Sequence, residues 1–144
     1  MIEYKKLNVP GKLIYINVVV FAITQLYRLL TTLFCVDGFD WQDYLALHSN
    51  LHYFLLTPWT LLTYFFTHAD IGVDVFHIIF NMLWLWWFGQ FFLRYHTSRQ
   101  LLSVYLLGGL FSGLFFLLVY NVFPYFIYSR EQSSLVGASG AIFA

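Results

Sequence analysis

Charge is scarce in this chain. Asp, Glu, Lys and Arg together supply 10% of the residues, against about 25% in ordinary soluble proteins. Lys+Arg and Asp+Glu number 7 each and cancel, so there is no basic surface to hold nucleic acid. Cysteine occurs once, as Cys35, which excludes an intrachain disulfide, a CxxC pair and a thiolate metal site. Three prolines and nine glycines without a repeat exclude a collagen-like chain, and the apolar content excludes disorder. What is present instead is hydrophobic: 60% of the 144 residues, with aromatics at 23%. Such a chain is built to dissolve in lipid.

A helix that crosses a membrane needs about 20 mostly apolar residues for a hydrocarbon core of roughly 30 Å. Three stretches meet that requirement: residues 13–36, interrupted by Arg28; residues 75–93, with Trp84, Trp86 and Trp87; and residues 101–123. Residues 1–12 carry Lys5, Lys6 and Lys12 ahead of the first stretch. Its apolar run is too long for a secretory signal and no small-x-small cleavage site follows, so it reads as a retained span.

The connection over residues 37–74 holds Asp37, Asp40, Asp43, Asp70 and Asp74 and no Lys or Arg. Keeping it on one side leaves Lys5, Lys6, Lys12, Arg94 and Arg99 together on the cytoplasmic face. Letting residues 51–67 cross would put Arg94 and Arg99 outside, against the positive-inside rule. The connection is therefore expected outside, as an interfacial loop. Within it, Thr57-Pro58-Trp59 predicts an N-cap followed by Pro at the first helical position. Trp59, Leu62 and Phe66 at helical spacing predict a short helix in the headgroup region.

Gly108, Gly109, Ser112 and Gly113 in the third span predict close packing against a neighbouring span. After the polar turn Ser129-Arg130-Glu131-Gln132, an apolar stretch over residues 134–144 would rise about 16 Å as a helix, half a bilayer. An end there would strand carbonyls in hydrocarbon, so the expectation is the front part of a longer protein, cut within a fourth span.

Polar side chains at membrane depth are functional candidates. Arg28 lies near the outer end of its span and can snorkel; Thr24 and Gln25 are expected to bond across helices. His77 and Asn81, four residues apart, share one helical face in the outer half of the second span. Gly137-Ala138-Ser139-Gly140 enters the fourth span from the same side, which would set Ser139 at their height. The tetrad is not the G-x-S-x-G elbow, since Ala141 occupies the last position. His68 belongs either to the interface or to the rim of a polar cavity, while His48 and His52 read as interfacial. A serine hydroxyl could attack a carbonyl here, with the Ser139 amide, Asn81 and His77 as oxyanion donors. His77 is also the obvious base within these residues, but in that role it would leave Asn81 alone with the oxyanion.

Taken in order and spacing, Pro58-Trp59-Thr60-Leu61-Leu62-Thr63-Tyr64-Phe65-Phe66-Thr67-His68, His77-Ile78-Ile79-Phe80-Asn81-Met82-Leu83-Trp84-Leu85-Trp86 and Gly137-Ala138-Ser139-Gly140 resemble the rhomboid intramembrane serine proteases. Thr60 stands where family members often carry Arg. The resemblance implies an all-α polytopic membrane protein: a rhomboid-like bundle, truncated to three spans and the start of a fourth, with a partial protease domain over residues 54–144. It implies Ser139 as nucleophile, His77 and Asn81 as oxyanion stabilisers, Gly137 and Gly140 as motif glycines, and no metal or cofactor. The family's base is a histidine in an Ala-His-x-x-Gly motif on a sixth helix absent from these residues, so this stretch alone is expected to be inert. The implied activity is cleavage of single-span membrane proteins near the outer membrane boundary. The alternative is a non-catalytic relative that binds or escorts membrane proteins. A bacterial plasma membrane with a cytoplasmic N-terminus is the expected location, since no Arg-rich amphipathic leader is seen; the oligomeric state stays open.

Overall fold

The computed structural model describes residues 7–36, 44–68, 71–130 and 133–143. Helix α1 spans Val9–Leu33. It starts ahead of the apolar run because the Asn8 side chain accepts a hydrogen bond from the Gly11 amide at 3.1 Å and Pro10 sits in the first turn, two devices that fix a helix start. Strand β1 (Leu47–His48), the short helices α2 (Leu51–Leu56) and α3 (Thr60–Thr63), and a 3₁₀ turn at Tyr64–Phe66 form the connection. Helix α4 spans Ile71–Phe92 and α5 spans Ser98–Val122. Thr97 and Gln100 close a capping box at the start of α5, each satisfying the other's backbone amide.

Val9–Leu33, Val75–Phe92 and Ser98–Val122 are long and apolar enough to cross a membrane. Their outer faces carry Ile23, Trp87, Phe111 and Phe115, each more than 60% exposed. Apolar surface on this scale is not sustained in water. The chain is an all-α polytopic integral membrane protein.

The connection forms the expected short helix after Pro58, but its cap and its burial differ from the expectation. The Thr57 side chain does not cap α3; its hydroxyl donates back to the Tyr53 carbonyl, and Trp59 occupies the N-cap of α3. Trp59 and Leu62 stay exposed, but Tyr64 and Phe65 turn inward and are fully buried. Two glycines on α5 make the room. A Cβ on Gly109 would lie 2.7 Å from the Phe65 ring, and one on Gly113 would lie 2.8 Å from Leu61 and 2.9 Å from Tyr64. Gly109 and Gly113 of the third span therefore receive the aromatics of the connection, while Ser112, between them, packs against Gly140 of the last segment, as expected of small residues facing a neighbouring helix. Thr24 bonds within its own helix, to the Val20 and Phe21 carbonyls, rather than across to another.

The last segment is also different from the expected fourth helix over residues 134–144. Ser134–Leu135 form strand β2, antiparallel to β1 with Leu47 opposite Leu135 and His48 opposite Ser134. Among the described residues of this segment, Ser139–Ile142 alone is helical, as α6. The reason is polar and long-range. Ser49 bonds the Ser133 carbonyl through both its amide, at 3.1 Å, and its hydroxyl, at 2.9 Å. Asn121 donates to the Ser49 carbonyl at 2.8 Å, which holds the strand pair against the end of α5.

Gly109→Val should cost roughly 1–3 kcal/mol of stability, because the added methyls meet a packed ring that has nowhere to move. Thermal unfolding in detergent of this variant beside a substitution on the exposed face, Phe111→Leu, measures it.

Candidate functional site

Gly137 lies at the centre of the site. Its φ of +106° is one that side-chain-bearing residues rarely adopt, and its amide donates to the Tyr64 carbonyl at 3.0 Å. A Cβ at this position would stand 2.8 Å from Nε2 of His77, so the His77 imidazole packs directly on the backbone that leads into Ser139. Ser139 is the first residue of α6 and is half-buried. Asn81, one turn along α4 from His77, is 5% exposed.

His68 belongs to the interior rather than the interface. It is 1% exposed, with its ring centroid 6.1 Å from that of His77 and 6.4 Å from Phe21 of α1. His52 is exposed on α2, and His48 is held in β1. Arg28 is exposed near the end of α1. Thr60 is fully buried and its hydroxyl donates to the Thr57 carbonyl at 2.7 Å, so the position after Trp59 serves the turn itself. Among the described residues, no group of three or more His, Cys, Asp or Glu is placed to hold a metal ion.

Gly140 is seated against α5. Its Cα packs on the Ser112 side chain, and a Cβ there would also lie 3.4 Å from the Tyr64 hydroxyl. The Tyr64 hydroxyl donates to the Gly109 carbonyl at 2.6 Å and lies on the same side of Gly140 as the Ser112 side chain. Burial pushes this phenol above the ordinary tyrosine range. Tyr64 and Ser112 thus form a floor beneath α6 that local sequence does not reveal. Tyr64 is one aromatic among many, and Ser112 looks like one more small residue of a packing stripe.

Gly137→Ala is opposed twice, by φ and by His77. Gly137→Ala should therefore lower the unfolding temperature clearly and loosen residues 134–140, as read by hydrogen exchange. The loss expected is about 1–3 kcal/mol, the range for a strained backbone position.

The chain is similar to known proteins. Residues 56–144, more than half of the chain, match the Rhomboid domain family. RHOMBOID-like protein 12, mitochondrial, of Arabidopsis thaliana is 35% identical over 92 residues, covering 58% of this chain and 26% of that protein. The chain therefore spans about a quarter of the length of this relative. No solved structure matches it. The second and third spans, the inward turn at Tyr64, the His77 face and the Gly137 bend together lie within one recognised domain, and the chain belongs to the rhomboid family.

Proposed function

We propose that the full-length protein is an intramembrane serine endopeptidase that cleaves single-span membrane proteins near the outer boundary of the bilayer. The observation that supports this most directly is the seating of Gly137 against Nε2 of His77, two residues before Ser139. In this mechanism the Ser139 hydroxyl attacks a substrate carbonyl and its proton passes to a general base. That base is the histidine that the family resemblance places in an Ala-His-x-x-Gly motif on another helix. The negative charge that develops on the carbonyl oxygen is met by the Ser139 backbone N–H, the Asn81 carboxamide and an imidazole N–H of His77. The leaving amine takes the proton, and water then hydrolyses the acyl-enzyme. Burial of Asn81 supports the strength of such a donor, since a low-dielectric surrounding amplifies each interaction.

The proposed orientation keeps Lys12, Arg94 and Arg99 in the cytoplasm, so that β2 and the start of α6 lie towards the opposite face. No cofactor takes part in this scheme.

In the full-length protein, Ser139→Ala should abolish cleavage of a single-span reporter while leaving thermal stability intact. Asn81→Ala should lower turnover about tenfold to a thousandfold, the scale of a lost oxyanion donor. Undiminished cleavage by Ser139→Ala overturns the assignment. Binding of the reporter without cleavage by the wild-type protein would favour the escort alternative.

A further inference from the structure

The Rhomboid match begins at residue 56 and leaves α1 outside it, yet α1 reaches the interior of the site. Asn17 sits in the apolar middle of α1 and is 0% exposed. Its Nδ2 donates to the Leu13 carbonyl of its own helix at 2.8 Å and to the Tyr105 hydroxyl of α5 at 3.3 Å. Tyr105, 2% exposed, donates in turn to the Phe65 carbonyl at 3.4 Å. One turn further along α1, on the same face, Phe21 sets its ring edge-on to His68.

A fully buried carboxamide in a membrane span is costly unless bonded. Oδ1 of Asn17 has no hydrogen-bond partner among the described residues. A leucine would fill the same place without that cost, so packing alone does not account for the carboxamide. What it reaches does. The Phe65 carbonyl belongs to the inward turn whose preceding carbonyl, Tyr64, takes the Gly137 amide. The same turn continues three residues on to His68, whose ring lies against His77.

We infer that Asn17 and Tyr105 are positioning residues for the catalytic site. They link α1 to α5 and hold the turn over residues 64–68 at a fixed depth, and through it they set the Gly137 bend and the His77 imidazole. The catalytic part of this inference rests on the protease assignment; the positional part does not.

The test uses the full-length protein in phospholipid vesicles, with Tyr105→Phe, Asn17→Leu and the double variant. Tyr105→Phe removes one hydroxyl and keeps the ring, so folding is preserved even if Asn17→Leu misfolds. The expected result is a kcat lowered about fivefold at unchanged KM, the scale of one net hydrogen bond. The double variant should fall no further than the weaker single one, as coupled residues do. Hydrogen exchange should rise in peptides covering residues 64–68 and 134–140 with no change along the exposed face of α5 and no large shift in unfolding temperature. A purely structural role would instead lower stability and raise exchange throughout. Wild-type exchange in both peptides, losses that multiply in the double variant, or a raised KM at constant kcat would each overturn the inference. If no form of the protein cleaves the reporter, the protease assignment fails while the exchange measurement still decides the positional role.

Discussion

A backbone that leaves the helix at membrane depth must find partners for its amides and carbonyls, because hydrocarbon offers none. The turn over residues 64–68 is where this protein meets that demand. The Tyr64 carbonyl receives the Gly137 amide, the Phe65 carbonyl receives the Tyr105 hydroxyl, and the Tyr64 hydroxyl finds the Gly109 carbonyl. The turn can enter the bundle only because Gly109 and Gly113 leave notches in α5. Once seated, it supplies the surface on which the segment carrying Ser139 is laid. Fold and site thus share one set of hydrogen bonds.

The three spans are legible in the sequence because length and hydropathy alone demand them. Their starts are not, since Asn8 and Thr97 act as caps from outside the apolar runs. The connection escapes a local reading for a physical reason. An aromatic stripe such as Trp59, Leu62 and Phe66 suits a lipid surface as well as a protein interior, and only glycines more than forty residues downstream decide that Tyr64 and Phe65 turn inward. The final segment escapes it similarly. A short apolar run does not distinguish a helix from a buried strand, and the partners that make Ser134–Leu135 a strand, Ser49 and β1, lie far back in the chain.

Within the site, His77 and Asn81 can be paired from sequence because four residues make about one helical turn. The Gly-Ala-Ser-Gly tetrad is recognisable as a pattern, but the reasons for its glycines are not. Gly137 is required by a positive φ and by the imidazole resting on it, while Gly140 makes space for Ser112. Nothing in the local sequence separates Asn17 from Thr24 or Gln25 as an isolated polar residue of the first span. The difference lies across the bundle, in Tyr105.

The hydrogen bonds that hold β2 in place join residues 72 to 84 positions apart. Contacts with such large loops close after local ones, whereas each long helix can form by itself within the bilayer. Assembly accordingly runs from the spans, to the docked turn, to the strand pair. Ser139 acquires its surroundings at the last of these stages, so in a newly inserted chain it still lacks the setting that the finished bundle gives it.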